Sequence, residues 1–237
     1  VCLLDIRKCF DTINHDLLLR KLDFYGVAGV GHAWFKSYLQ NRSQVVSCHS
    51  QMSDKQYLNI GVPQGSVLGP ILFLLFINDI DSNIGLGSCN LYADDALLYC
   101  TGSTIDEVTQ NLQECTNFAA KWYDDNLLVL NKAKCNSMLI GSKNKVQNDT
   151  PDIDIEIDGT KIECVKKATY LGTVIDANLT WEYHIKKVCS TIGLKISQLR
   201  RLKKYCGPDK LIDIYNTQIQ PIIDYSITTV RVRKVET

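Results

Sequence analysis

Two adjacent carboxylates, Asp94 and Asp95, sit in the middle of "NLYADDALLYC" (90–100), between two short apolar runs that read as strands. A carboxylate in apolar surroundings is costly, so such groups are usually paired or bind a cation. Two readings fit the stretch by itself. Asp is a favoured turn residue, and the pair would then sit at a solvent-exposed hairpin tip. In the other reading the pair is part of a metal site, which needs a further carboxylate on a neighbouring element. Asp5 is the candidate, because it lies late in "VCLLDI" (1–6), a strand pattern that wants another apolar residue there. Three oxygen donors with no His or Cys cluster nearby suit Mg²⁺ or Mn²⁺ rather than Zn²⁺. Two such ions about 3.5–4 Å apart catalyse in-line phosphoryl transfer. Successive strand side chains face opposite ways, so Asp94 and Asp95 approach one site only from a turn.

A second segment belongs beside these carboxylates. The loop "GVPQGSVLGP" (61–70) holds three glycines, two prolines and Gln64 just before a helix start. Glycines let a ligand approach the backbone closely, and a helix N-terminus favours anions. The plain alternative is a Gly/Pro-rich connection.

The elements that must position these groups follow from periodicity and punctuation. Residues 1–6 read as a buried strand, and 14–26 and 31–41 as helices, the first stopped by Gly26. Strands are predicted at 43–50 and 56–62, with "QMSDK" as their turn. An apolar helix spans 71–84 and a hairpin 89–100. The helix 103–126 is amphipathic, with Ser103 or Thr104 as N-cap and Glu107 in its first turn. Strands are predicted at about 134–141, 153–157, 160–165 and 169–176, then helices over 181–205 and 208–225, divided at Gly207-Pro208. The layout is an α+β domain followed by a helical one.

At 237 residues with 45% hydrophobic and 22% charged residues, the chain has the length and composition to bury a sizeable core. Lys plus Arg equals Asp plus Glu at 26 each, which excludes a surface basic throughout but allows a local basic groove. The ten cysteines form no Cys-x-x-Cys pair and no zinc spacing, so free thiols in a reducing, intracellular setting are expected. The longest apolar run, "ILFLLFI" (71–77), is too short for a membrane span, which takes about 18 residues, and no signal peptide is seen.

Five blocks then recur in a telling order: "LLDIRKCFDTINH", "GVPQGSVLGPILFLLFINDI", "LYADDALLY", "WYDDNLLVLNKAKC" and "YLGTVIDANLTW". From residue 1 to about 225 the chain resembles the reverse transcriptase domain of non-LTR, LINE- and jockey-like retrotransposons. The resemblance implies an α+β polymerase palm, an antiparallel sheet backed by helices, with partial fingers and a C-terminal helical thumb. The expected domains are 1–178, palm with partial fingers at about 12–60, and 179–237, thumb with a ragged end. It implies RNA-directed DNA polymerase activity with two Mg²⁺ (or Mn²⁺) ions. Asp5, Asp94, Asp95 and the carbonyl of Ile6 would hold the metals, and Lys134 would act as general acid to the pyrophosphate. Phe10 would exclude a 2′-hydroxyl, while Gln64 and Gly65 would touch the nucleotide and templating base pair. Asp11 matches an acidic position of open role in the nucleotide site. Tyr170, Leu171 and Gly172 match the primer-gripping hairpin. Lys195, Arg200, Arg201, Lys203, Lys204 and Lys210 offer a basic helical face for nucleic-acid backbone, or simply a solvated one.

The implied partners are an RNA template, a DNA primer and dNTPs, with no membrane, in a nuclear or cytoplasmic ribonucleoprotein. The family places a basic fingers segment before the first block and commonly an endonuclease upstream. The chain lacks both, so an N-terminally truncated piece of a longer protein is expected. The closing "TTVRVRKVET" departs from the family. An inactive reverse-transcriptase-derived fragment that binds nucleic acid or a partner is the alternative. An RNA-templated RNA polymerase is a further one; Ala93, where such viral enzymes have Gly before Asp-Asp, and Phe10 tilt away from it.

Overall fold

The structure, a computed structural model, describes residues 1–84, 87–146 and 152–230. Its first strand, β1 (Cys2–Leu4), is short and almost wholly buried. Helices α1 (His15–Phe24) and α2 (Gly29–Leu39) follow. Asn14 caps α1, its side chain accepting from the Leu17 amide at 3.0 Å. Leu18, Leu19 and Leu22 form the buried face of α1, whereas α2 buries only Leu39.

The region expected as two strands is a nested hairpin. β2 (Arg42–Gln44) pairs antiparallel with β5 (Gln56–Leu58), and inside them β3 (Ser47–Cys48) pairs with β4 (Gln51–Met52). Part of the expected turn, Gln51 and Met52, is therefore strand. Helix α3 (Leu68–Ile77) starts earlier than the apolar run suggested and stops at Asn78, with a separate 3₁₀ turn at Ile80–Asn83. The side chain of Lys21 explains the break. Its ammonium donates to the Phe76 carbonyl at 2.7 Å and to Asp79 at 2.6 Å, and lies over the rings of Phe76 and Trp122. Burial pushes the Lys21 pKa down, with Asp79 opposing.

β6 (Ser88–Tyr92) and β7 (Asp95–Tyr99) make the expected hairpin. Helix α4 (Ile105–Asp125) is capped by Thr104, whose hydroxyl accepts from the Glu107 amide at 3.2 Å. The Glu107 carboxylate reaches back to the Ser103 amide at 2.7 Å, a variant of the capping box. Leu112, Cys115, Ala119 and Tyr123, at helical spacing, are buried. The strand expected at 134–141 reduces to β8 (Asn136–Ser137), and those at 153–157 and 160–165 reduce to β9 (Glu156–Ile157), β10 (Thr160–Lys161) and β11 (Glu163–Cys164). One five-stranded sheet runs β11-β8-β1-β7-β6, so β1 is central and bonded on both sides. β11 pairs parallel with β8, and the other neighbours are antiparallel.

Clustering of contacts divides the chain into two units, Val1–Ser137 with Asp152–Cys164, and Met138–Pro151 with Val165–Thr237. The second holds the hairpin β12 (Lys167–Tyr170) and β13 (Thr173–Asp176), then α5 (Glu182–Leu202), α6 (Pro208–Gln218) and α7 (Gln220–Val230). The buried Asp176 carboxylate turns the chain from β13 into α5 by accepting from the Asn178, Thr180 and Trp181 amides at 3.2, 3.0 and 2.9 Å. From α5, His184 accepts the Val174 amide on Nδ1, and burial pushes its pKa down. The departing segment at 231–237 lies outside the described residues.

Gly61 packs closely against neighbouring backbone in the first unit. Its φ is +84°, and a Cβ there would lie 2.8 Å from the Asp11 carbonyl oxygen. Gly61→Ala is expected to cost about 1–3 kcal/mol, read as a lower urea midpoint at unchanged slope.

Candidate functional site

Strand pairing gathers the acidic residues. β1 pairs with β7 as Cys2↔Leu98, Leu3↔Leu97 and Leu4↔Ala96. Continued by one step, that register sets Asp5 across from Asp95. Opposed residues on neighbouring antiparallel strands project from the same face. Asp5 stands just past β1 and is half-buried, its backbone held on both sides. Its amide donates to the Cys135 sulfur at 3.5 Å, and its carbonyl accepts from the Asn131 amide at 2.8 Å. Ile6 is buried and bridges to Leu130.

Asp94 lies in the turn between β6 and β7, so the turn reading of the sequence is correct for its position. Ala93 before it has φ +52°, a left-handed conformation unfavourable for a residue with a Cβ. Asp95 is the first residue of β7. Desolvation raises its pKa, and the negative charges of Asp94 and Asp5 raise it further. Burial and the neighbouring Asp94 push the Cys9 thiol up to about 12. The Lys134 ammonium stands 3.9 Å from Asp5, the one cation paired with these three acids among the described residues. That segment is anchored by the Lys134 amide donating to the Asn131 carbonyl at 2.8 Å.

The donors are all carboxylate oxygens and repel one another, which fits a hard divalent cation. They are not drawn into a preassembled cage: among the described residues no group of three or more His, Cys, Asp or Glu is arranged to hold a metal.

The Gly/Pro loop is stapled beside this cluster. The Gly61 amide donates to the Ile13 carbonyl and the Val62 amide to that of Phe10, each at 2.7 Å, while a His15 ring nitrogen meets the Gly61 carbonyl at 2.7 Å. Gln64 then donates to Asp11 at 2.8 Å, which gives the acidic position left open by the sequence a partner. Gly65 has φ +82°. Ser66 bonds the Pro63 carbonyl and receives the Gly69 amide, folding the loop onto the start of α3. Phe10 packs on Phe73 of α3, ring centroids 5.0 Å apart. A cleft of about 580 Å³ opens here, lined by Asp11, His15, Arg42, Gly61 and Gln64 among others. The sequence reading passed over His15 and Arg42; each looks like an ordinary helix or strand residue until the fold closes the cleft.

The remaining expected site residues lie in the second unit. Leu171 and Gly172, both at positive φ, make a two-residue turn after Tyr170, the geometry of a type I′ hairpin. The Tyr225 hydroxyl on α7 donates to the Leu171 carbonyl. Lys195 donates to Gln218 at 3.2 Å, whereas Arg200, Arg201, Lys203, Lys204 and Lys210 are exposed at the end of α5 and beyond it, with Lys210 near Asp213.

Residues 1–175 match the family model described as "Reverse transcriptase (RNA-dependent DNA polymerase)". The chain is 29% identical over 212 residues to "Probable RNA-directed DNA polymerase from transposon BS" of Drosophila melanogaster, covering 84% of this chain and 22% of that protein. It is 28% identical to "RNA-directed DNA polymerase from mobile element jockey" of Drosophila funebris, covering 95% of this chain and 25% of that protein. The chain thus spans about a quarter of the length of these relatives. Among solved structures, an apo telomerase from Candida Tropicalis matches 74% of this chain and 33% of its own, with TM-score 0.50 and 12% identity. The expected α+β, palm-like fold is borne out.

The Asp95 shift sets the sign of a test. A carboxylate whose pKa is raised on folding contributes most at low pH, and that contribution is lost as pH rises through its ordinary range into the raised folded value. Asp95→Asn is therefore expected to raise the melting temperature at pH 7 by about 1–2 °C, small because the group is exposed. The gain should fade below about pH 4, where the carboxylate of the unfolded chain is itself protonated.

Proposed function

Because the chain belongs to the reverse transcriptase family, we propose that it extends a DNA primer on an RNA template, as the polymerase part of a non-LTR retrotransposon protein. The observation that carries this reading is the β1–β7 register, which faces Asp5 toward Asp95 with Asp94 in the adjoining turn and Lys134 alongside. Asp5, Asp94 and the Ile6 carbonyl are the proposed ligands of two Mg²⁺ or Mn²⁺ ions, with Asp95 as the adjacent carboxylate. Bound there, the ions would lower the pKa of a primer 3′-hydroxyl and neutralise charge on the phosphates.

The chain's own side chains do the rest. Phe10, braced by Phe73, presents its ring to the sugar and rejects a 2′-hydroxyl by bulk. Gln64, oriented by Asp11, and Gly65 receive the nucleotide and the templating base pair. Lys134 gives a proton to the departing pyrophosphate. Tyr170, Leu171 and Gly172 hold the primer end, the turn fixed by Tyr225. Lys195, Arg200, Arg201, Lys203 and Lys204 meet nucleic-acid phosphates without reading sequence. No described helix is long and apolar enough to cross a membrane, and a ribonucleoprotein of nucleus or cytoplasm is the proposed setting.

Primer extension on an RNA template with Mg²⁺ or Mn²⁺ tests the reading. Asp94→Asn should lower extension by at least ~10²-fold, the scale of removing one electrostatic element from a transferring phosphoryl group. Extension at the wild-type rate would remove Asp94 from the metal site. Phe10→Ala should admit ribonucleotides more readily; unchanged discrimination would sink its gating role.

A further inference from the structure

The Gly61–Val62 peptide is held at both of its polar ends. Its N–H donates to the Phe10 carbonyl at 2.7 Å, and its carbonyl meets Nε2 of the His15 ring at 2.7 Å. A carbonyl oxygen only accepts, so Nε2 carries the proton. A peptide unit is planar, and one bonded at both ends cannot turn over without breaking both bonds. Gly61 is where such a turn would occur. Its φ of +84° lies in the region open to glycine, whereas Val62 is buried and confined to extended backbone by Pro63 after it. At the far end of the loop Gly65, with φ +82°, has open space where a Cβ would stand. Gln64 therefore hangs between one glycine with room to move and one that His15 locks.

The helix that His15 opens does not need its side chain, because Asn14 already caps α1 through the Leu17 amide. His15 is only 8% exposed, and its ring reaches a partner 46 residues along the chain. Backbone contacts zip the two segments in antiparallel order: Phe10 with Val62, Ile13 with Gly61, and Asn14 with Ile60. Two side-chain bonds close the ends of that zipper, Asp11 to Gln64 at one and His15 to Gly61 at the other. All four of these residues line the same cleft of about 580 Å³. His15 thus fixes, from the helix end, the loop whose other end carries Gln64.

We propose that His15 is a positioning residue for nucleotide selection. By holding the Gly61–Val62 peptide it fixes Gln64 and Gly65 relative to Phe10, and so sets both the affinity for the incoming dNTP and the exclusion of a 2′-hydroxyl. That role rests on the polymerase reading of the cleft; the clamp on the loop does not. His15 itself touches neither nucleotide nor metal. A bulky ring excludes a hydroxyl only while the sugar cannot shift aside, and a loop that turns at Gly61 gives the sugar room. Glutamine is the informative replacement. Its amide nitrogen lies as many bonds from Cβ as Nε2 does and can donate to the same carbonyl, whereas the asparagine amide falls one bond short.

Two measurements on the whole chain separate the clamp from its consequence. The first is amide hydrogen exchange followed by NMR. In His15→Asn the Val62 amide should exchange roughly tenfold faster, the scale of one lost hydrogen bond, while the amides of α4 keep their wild-type rates. H15Q should restore the protection. The second is primer extension on an RNA template. His15→Asn should raise KM for the dNTP roughly tenfold with kcat within about twofold of wild type, the signature of lost binding common to ground and transition states. Discrimination against the matching ribonucleotide should fall roughly tenfold as well, and H15Q should recover both. Unchanged Val62 exchange in His15→Asn overturns the proposal, as does a fall in kcat at unchanged KM. An H15Q protein as loose and as indiscriminate as His15→Asn overturns it too. Faster Val62 exchange in a chain whose wild type extends no primer would sink the polymerase reading and keep the clamp. Extension with KM and sugar choice indifferent to His15 would keep that reading and sink the proposal.

Discussion

Like charges held together at the end of a sheet are the constraint on which the first unit depends. Desolvation raises the pKa of Asp95, and the negative charges of Asp94 and Asp5 raise it further. A lone edge strand would swing away to relieve that repulsion. β1 has no such freedom, because β7 and β8 bond it on both sides and the residue after it is pinned by Asn131 and Cys135. The apolar residues alternating with the site, Cys2, Leu4 and Ile6, are all buried. Their burial opposes the repulsion, and Lys134 offsets only part of it from a mostly exposed position.

The same segment that carries Asp5 also receives the Gly/Pro loop. Within six residues Phe10, Asp11, Ile13 and His15 all bond or abut positions 61–64. Two stretches about 50 residues apart are thus joined by direct hydrogen bonds, and a side chain at Gly61 would collide with the Asp11 backbone. Placement of Gln64 and of the carboxylates is therefore coupled through short local contacts.

Much of this was legible in the sequence where local chemistry decides. The Asn14 and Thr104 caps, the β6–β7 hairpin and the apolar face of α4 follow from residue type and spacing. The expected strand at 43–50 failed because the Val45-Val46 pair interrupts it and the chain reverses at His49, which adopts positive φ. The helix expected to run to 84 ended at Ile77 because Lys21, from a distant helix, takes the Phe76 carbonyl and Asp79. Tertiary contacts of that kind leave no periodic trace. At the site, Asp94 is a turn residue, as one of its two readings had it, and the turn opens the strand that pairs with β1. His15 and Arg42 were invisible for a different reason, since only closure of the cleft gives them a shared environment.

The sulfur atoms beside the acids have a consequence for selectivity among cations. Cys9 neighbours Asp94, and Cys135 receives the Asp5 amide, so two soft donors stand within reach of a hard site. A thiol ligates zinc or copper as its thiolate. Burial suppresses that ionisation at both, with Asp94 adding to it at Cys9, while the hydrogen bond from the Asp5 amide works against it at Cys135. Burial therefore disfavours the thiolate at both sulfurs, which makes each a poorer ligand for a thiophilic ion. The packing that buries Cys9 and Cys135 thus also mutes the soft donors that stand beside a hard site.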